Sequence, residues 1–313
     1  MAYTITDKID NITGIHDNYR IPNPPPPISV KIELTGKCNF RCAFCATSDH
    51  KRPMAEMDRG LYSAVLDELM DCGVKEVGMF YLGESMMVKW LPEAIAEAKD
   101  KGFEYVFLTT NGSLSSPDKV EACMGAGLDS LKFSLNYADA EQFAEVARVK
   151  KSLFNVMLNN IKAAHDVREA NGFDCGLYAS YIDLDATQDD KMKALLEELD
   201  PYLDEAYSLP LYSQADETGA DNVDRGWDVK AGNPGRAGNM REPVPCWSLF
   251  SETRITWDGR VAACCFDHEH KFDMGPAIPF MESWHSDKFQ ALRAAHLKKD
   301  VAGTECEACV AYG

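Results

Sequence analysis

The sequence predicts an α/β fold: a partial (β/α)6 barrel, TIM-like in plan, followed by a small C-terminal domain with a β-hairpin and a helix. Strand-like segments alternate with amphipathic helices from residue 29 to about residue 212, which indicates a parallel sheet with helices outside it. About six such units can be counted, fewer than the eight of a closed barrel. The alternation stops at residue 213, which separates the C-terminal domain.

Apolar residues at every second position predict the first strand over residues 29–34. Further strands are predicted where short apolar runs end at glycine or polar turn residues, at 76–82, 105–109, 130–135 and 176–182. Helices are predicted where apolar residues recur at helical spacing, at 58–72, 91–101, 117–124, 140–148, 154–170 and 189–199.

The segments around the barrel have other compositions. An N-terminal extension ends in a proline-rich linker, and a glycine-rich, Asp-rich connecting loop or lid leaves the barrel. In the C-terminal domain, Asp258-Gly259 marks the turn of a hairpin over residues 254–261, and a helix is predicted over 281–297. The predicted units are therefore residues 1–28, 29–212, 213–245 and 246–313.

The composition excludes several classes of protein. Lys plus Arg number 32 and Asp plus Glu number 50, a formal charge of −18, which disfavours a nucleic-acid partner. A protein of this charge favours a cationic substrate, but the net charge of a chain does not determine the charge of one pocket. The sequence has no apolar run of about 18 residues that would span a membrane and no signal peptide, so we expect a cytoplasmic protein. Eleven cysteines, an odd number without an export signal, argue for metal binding rather than disulfides.

Three cysteines follow the first strand in the pattern C-x3-C-x2-C: Cys38, Cys42 and Cys45. Soft thiolate ligands select zinc, Cu(I) or an iron–sulfur cluster. Three ligands leave one iron of a [4Fe–4S] cluster open for an external ligand. His50 is the candidate fourth ligand in the alternative, a closed zinc site.

This motif, placed after the first strand of a βα barrel, resembles that of the radical S-adenosylmethionine (SAM) superfamily. The resemblance implies an enzyme in which SAM chelates the open iron. One electron from the cluster then cleaves SAM to methionine and a 5′-deoxyadenosyl radical, which takes a hydrogen atom from an unactivated C–H bond. A flavodoxin or ferredoxin is implied as the electron donor.

Segments at the ends of later strands also resemble the family's SAM-binding motifs. Tyr81-Leu82-Gly83-Glu84-Ser85 resembles the "GGEP" motif, with Leu82 and Ser85 in place of its first glycine and its proline, and implies that Glu84 holds the SAM ammonium. The third and fourth strand ends and the first cysteine loop supply the other contacts. The implied SAM-binding residues are Phe44, Gly83, Glu84, Ser85, Asn111, Ser134 and Asn136.

A second set of cysteines lies in the C-terminal domain: Cys246, Cys264, Cys306 and Cys309. Four thiolates can saturate an iron–sulfur cluster, and the spacing suits a four-cysteine zinc site equally well. The segment around the hairpin resembles the SPASM domain or its shortened twitch form. That resemblance implies one auxiliary [4Fe–4S] cluster with all four ligands from protein.

Cys265 adjoins the predicted ligand Cys264. In an extended segment its side chain would point the other way, towards the barrel mouth. There its thiol could give a hydrogen atom to a substrate radical, as related epimerases do. The alternative is a small buried apolar residue, since free cysteine is often buried. His268 and His270, a few residues on, are interpreted as surface histidines.

The leading interpretation is a radical SAM oxidoreductase or epimerase that acts on a small polar metabolite. A sugar, aminosugar or aminocyclitol would undergo epimerisation or alcohol dehydrogenation. The alternative is a SPASM maturase that epimerises or crosslinks a ribosomal peptide, which the short segment before the first strand disfavours because it leaves no room for a leader-binding domain. A zinc-bound scaffold and an activating enzyme for a partner protein are further candidates.

Overall fold

The computed structural model describes residues 4–46, 53–184, 188–214, 218–227, 229, 233–234, 240–242, 244–307 and 309. Its strands are β1 (Ser29–Ile32), β2 (Glu76–Gly78), β3 (Tyr105–Thr110), β4 (Ser130–Ser134), β5 (Gly176–Asp183), β6 (Glu205–Pro210), β7 (Asn233–Pro234), β8 (Met240–Arg241), β9 (Glu252–Ile255), β10 (Arg260–Ala262) and β11 (Asp273–Pro276). Its helices are α1 (Ile5–Thr13), α2 (Arg59–Asp71), α3 (Leu91–Lys101), α4 (Pro117–Gly125), α5 (Ala140–Ala147), α6 (Leu153–Asn171), α7 (Asp189–Leu199), α8 (Gly219–Asp224), α9 (Phe280–Trp284) and α10 (Asp287–Leu297).

One nine-stranded sheet runs through the molecule in the order β11-β10-β9-β1-β2-β3-β4-β5-β6. Strands β1 to β6 are parallel neighbours, which confirms the predicted partial barrel of six βα units. The C-terminal hairpin does not form a sheet of its own. Its strand β9 pairs in parallel with β1, and β10 and β11 continue antiparallel, so the hairpin extends the barrel sheet.

Alternation along the strands sorts side chains to the two faces of the sheet. Fully buried residues such as Val30, Leu108 and Phe133 belong to the apolar core of the protein. The alternate positions, among them Lys31 and Lys132, line a cavity inside the barrel. The polar residues of that inner face therefore surround the space where a ligand can bind.

Helix α1 lies within the segment that was predicted as a weakly patterned extension. Its Thr4 cap exchanges hydrogen bonds with Asp7, a capping box that sequence analysis overlooked. The Glu205 carboxylate accepts a hydrogen bond from the Ile5 amide at 2.9 Å, and Lys8 lies 3.6 Å from Glu76. Since Glu205 and Glu76 begin β6 and β2, α1 covers the amino-terminal edge of the sheet.

Two other segments differ from expectation. The predicted helix over 281–297 is two helices. The first, α9, ends at Trp284, and the Ser286 side chain then caps the start of α10 by accepting a hydrogen bond from the Phe289 amide. Strand β2 stops at Gly78 rather than at residue 82. No helix in the described part of the chain is long and apolar enough to cross a membrane.

Candidate active site

The first cysteine loop follows β1 at the carboxyl edge of the sheet. Cys38, Cys42 and Cys45 are each partly buried. Burial raises the pKa of Cys38 to about 12, and burial followed by the neighbouring Cys45 thiol raises the pKa of Cys42. The three thiols are thus electrostatic neighbours in a partly desolvated loop, where a cation would favour their charged forms.

Backbone hydrogen bonds from the loop fix its path. The amides of Arg41 and Ala43 donate to the carbonyl oxygens of Ala147 and Val146, at 3.1 and 2.7 Å. These carbonyls belong to the last turn of α5, which leaves them without partners inside the helix. The end of α5 therefore serves as a docking point for the loop.

The segment after β2 packs against the start of the same loop. The Glu84 amide donates to the Lys37 carbonyl at 2.8 Å. A Cβ atom added to Gly83 would lie 2.0 Å from the Thr35 carbonyl oxygen and 2.8 Å from that of Lys37. Glycine is required here by the close approach of two backbones.

The Glu84 carboxylate is buried and already accepts protein hydrogen bonds. Its oxygens accept from the amides of Met86 (2.9 Å) and Asn111 (2.7 Å) and from the Thr110 hydroxyl (2.9 Å). Burial raises its pKa. Glu84 therefore joins the segment after β2 to the end of β3, and a role towards the SAM ammonium stays a prediction.

Asn111 also positions the cysteine loop. Its side-chain amide donates to Asn39 Oδ1 at 2.9 Å, and Asn39 in turn donates to Ser113. The other predicted residue here, Ser85, is buried at the start of a short 3-10 helix. The structure thus places Gly83, Glu84, Ser85 and Asn111 around the cysteine loop rather than in the cavity wall.

A cavity of about 430 Å³ occupies the barrel interior next to this loop. Phe44 and Cys45 line it from the loop, and Ser134 and Asn136 line it from the end of β4. Asn136 Oδ1 also accepts a hydrogen bond from the Ile182 amide at 3.1 Å. Three of the predicted SAM contacts therefore share one cavity with a cysteine of the motif.

The second set of cysteines converges from three separate segments. Cys306 is an electrostatic neighbour of Cys246 and Cys309, and Cys309 is also a neighbour of Cys264. The Cys309 amide donates to the Cys306 carbonyl at 3.1 Å, which closes a tight turn. In the described part of the chain, no three His, Cys, Asp or Glu side chains are close enough to hold a single ion.

Cys265 lines the cavity. The sequence analysis placed it there by assuming an extended segment, which the structure does not have. Residues 265 and 266 form a turn rather than an extended strand, and the Cys264 and Cys265 thiols are electrostatic neighbours. The cavity therefore has a cysteine of the first motif on one side and Cys265 on another.

Sequence analysis missed residues that connect the two cysteine regions. Gln214 Oε1 accepts from the Ala46 amide at 3.0 Å and lies 2.9 Å from His268 Nε2. The expectation of a surface histidine was wrong for His268, which is 3% exposed and lines the cavity. No local sequence signal marks Gln214, because its two partners are far away along the chain.

Tyr137 contacts the first motif directly, since its hydroxyl lies 3.3 Å from Cys42 Sγ. Hydrogen bonds to cluster sulfurs raise a cluster's reduction potential. We expect Tyr137→Phe to shift the potential of the reconstituted cluster to a more negative value, measured by redox titration with electron paramagnetic resonance. Tyr62→Phe is the matched control because the Tyr62 hydroxyl donates to Ala94 O, far from any thiol of the motif. If the cluster of Tyr137→Phe had the wild-type reduction potential, the Tyr137 hydroxyl would not act on the cluster through Cys42.

Comparison with known proteins identifies the class. The radical SAM superfamily model matches residues 32–199, and the model of the SPASM iron–sulfur cluster-binding domain matches residues 246–310. The chain belongs to the radical SAM superfamily and carries a C-terminal SPASM domain. Its cofactors are accordingly SAM, a [4Fe–4S] cluster and an auxiliary iron–sulfur centre, which decides against zinc. The candidate zinc ligand His50 lies outside the described residues.

Two curated relatives differ in the extent of their similarity. A GTP 3′,8-cyclase of Chlorobaculum tepidum is 25% identical over 80% of this chain and 81% of its own length. A PqqA peptide cyclase of Xanthomonas euvesicatoria is 32% identical, but the alignment covers 41% of this chain and 34% of that protein. The chain therefore spans about a third of the second relative.

Two solved structures share the fold. BtrN in complex with AdoMet and 2-DOIA aligns with a TM-score of 0.59 and 15% identity, over 90% of this chain and 92% of BtrN. Streptococcus suis SuiB bound to the precursor peptide SuiA aligns with a TM-score of 0.67 and 14% identity, over 94% of this chain and 71% of SuiB. At these identities the likeness concerns the fold alone.

Proposed function

We propose that the chain is a radical SAM oxidoreductase or epimerase that acts on a C–H bond of a small polar metabolite such as a sugar, an aminosugar or an aminocyclitol. The observation that carries the proposal is the shared cavity, which Cys45 of the first motif and Cys265 both line. Its volume of about 430 Å³ lies in the range of small-molecule sites.

The residues fit the cofactors of the family. We assign Cys38, Cys42 and Cys45 to the SAM-binding cluster, and Cys246, Cys264, Cys306 and Cys309 to one auxiliary cluster. Soft thiols gathered in partly desolvated surroundings are the donor set that iron–sulfur clusters need. When bound, the first cluster supplies the electron that cleaves SAM reductively, with a flavodoxin or ferredoxin as the proposed source.

The protein's own residues would then hold SAM and substrate in one cavity. Phe44, Ser134 and Asn136, which line the cavity, would contact SAM, while Glu84 and Asn111 would hold the cysteine loop. Cys265 would give its thiol hydrogen atom to the substrate carbon radical, which completes an epimerisation. The resulting thiyl radical would return to the thiol by taking one electron from the reductant and one proton from solvent.

Cys265→Ala tests this role. We expect the variant to form 5′-deoxyadenosine but to lose epimerised product, because no hydrogen atom reaches the substrate radical. Mass analysis of product made in heavy water measures the transferred hydrogen, since a thiol exchanges its proton with solvent. Cys72→Ala is the matched control, a cysteine outside both proposed ligand sets that directly follows helix α2. Unchanged epimerised product from Cys265→Ala would reject the role.

A peptide maturase is the second candidate, supported by the similarity to the PqqA peptide cyclase and by the fold shared with SuiB. Formation of 5′-deoxyadenosine separates the two. Stimulation by the small-metabolite fraction of a host extract supports the first candidate, and stimulation by the peptide fraction alone supports the second.

A further inference from the structure

The cavity has a positive interior within an acidic protein. The chain has a formal charge of −18. Among the described residues, the charged side chains that line the cavity are three cations, Lys31, Lys132 and Arg254, and one carboxylate, Glu252. The formal charge of the cavity wall is therefore +2, opposite in sign to the charge of the whole chain. The overall acidity suggested a cationic ligand, whereas the cavity itself favours an anion.

The cations meet because the C-terminal hairpin joins the barrel sheet. Lys31 of β1 and Arg254 of β9 are paired residues in the parallel ladder, so their side chains project from the same face. Lys132 projects into the same cavity from β4. Burial lowers the pKa of Lys31, the Glu252 carboxylate opposes that shift, and the positive charges of Arg254 and Lys132 add to it.

The one carboxylate among the described lining residues pairs with two of the three cations and leaves Lys132 without a counter-charge. Glu252 Oε1 accepts from Lys31 Nζ at 2.8 Å and also from Arg254 Nη2. Lys132 Nζ instead contacts the Tyr207 hydroxyl at 2.9 Å, and no carboxylate in the described part of the chain forms an ion pair with it.

Two buried donors of the cavity wall are also without an acceptor. Arg254 is 0% exposed, and its Nε atom has no hydrogen-bond partner. The Tyr212 hydroxyl is likewise buried without one, but its electrostatic neighbours are the Cys265, Cys246 and Cys309 thiols, so it lies beside the second cysteine set. An unsatisfied buried donor destabilises the protein by about 1–3 kcal/mol. A ligand oxygen that accepts a hydrogen bond from Arg254 would remove this penalty.

We propose that the substrate carries an anionic oxygen group, a carboxylate or a phosphate, that binds in this cavity against Lys132 and Arg254. The inference rests on the proposed function, because it takes the cavity as the substrate site. It narrows the substrate class to acidic or phosphorylated small metabolites. Lys31, held by Glu252, contributes to the positive potential.

The first test uses the reconstituted enzyme with SAM and a reductant. The small-metabolite fraction of a host extract is separated on an anion exchanger, and each part is assayed for 5′-deoxyadenosine formation. We expect stimulation from the retained part. Prior phosphatase treatment removes the stimulation if the group is a phosphate and leaves it if the group is a carboxylate. Stimulation by the unretained part alone would overturn the proposal.

The second test compares variants. Lys132→Met is expected to raise the apparent KM for the retained fraction about tenfold or more, because a charged hydrogen bond is lost, whereas Lys132→Arg largely restores it. Lys298→Met, at an exposed position, is the control. The dissociation constant of SAM is measured in parallel. An equal weakening of SAM binding by Lys132→Met would assign the site to the SAM carboxylate and overturn the proposal.

The third test distinguishes a failure of the proposed radical SAM function from a failure of the proposed anion site. SAM cleavage without substrate tests the radical SAM function alone. Inorganic phosphate and acetate, compared with chloride at equal ionic strength, test the anion site through the Tm of the reconstituted enzyme. A rise in Tm that Lys132→Met abolishes supports the site. No rise with either anion overturns it, whether or not SAM is cleaved.

Discussion

Replacement of Cys38, Cys42 or Cys45 by alanine is expected to abolish reductive SAM cleavage in each of the three variants. A three-thiolate set cannot lose one ligand and still hold the cluster in the geometry that leaves a single iron open. The loop is held to α5 through the amides of Arg41 and Ala43, so its backbone cannot move to recruit a substitute. Formation of 5′-deoxyadenosine with dithionite as reductant is the measurement.

Cys123→Ala is the control for this series. Cys123 is fully buried in α4 and belongs to the apolar core. Its loss costs about 1 kcal/mol of stability at most but leaves both sets of proposed ligands intact. We expect the control to keep its iron content and its SAM cleavage. Persistent cleavage by any of the three motif variants would contradict the assignment of the cluster.

The sequence was sufficient for elements whose stability is encoded locally. Helices α3 and α7 have the predicted bounds, since their apolar spacing and termini are local signals. Strand β6 was not located, because Glu205–Pro210 mixes charged, polar and apolar residues without alternation. Helix α1 was missed although Thr4 and Asp7 form a local capping box, and its hydrogen bond to Glu205, about two hundred residues away, had no signal in the sequence.

The candidate site likewise has parts that local sequence marks and parts that depend on contacts between distant segments. Spacing alone marked the cysteines, because three thiols within eight residues must share one loop. The pairing of β9 with β1 could not be predicted, since a parallel pair between distant segments has no local signature. That pairing brings Arg254 beside Lys31, and together with Lys132 of β4 they make the cavity positive, which the sequence did not indicate.

Gly83→Ala is expected to disrupt the site although it replaces none of the proposed cluster ligands. The added methyl group would lie 2.0 Å from the Thr35 carbonyl oxygen, a backbone atom that cannot rotate away. The two segments must separate, which breaks the 2.8 Å hydrogen bond from the Glu84 amide to the Lys37 carbonyl, just before Cys38. We expect a loss of about 3 kcal/mol or more in the free energy of unfolding.

The displaced loop should also hold its cluster poorly, so iron content and 5′-deoxyadenosine formation are measured alongside thermal unfolding. Gly125→Ala is the matched control, because an added Cβ there would meet only Phe173, at an ordinary 3.7 Å, at the end of α4. That variant should be neutral or slightly stabilising, since alanine favours the helix over glycine. If Gly83→Ala retained wild-type stability and iron content, the close backbone contact would not be what positions the cysteine loop.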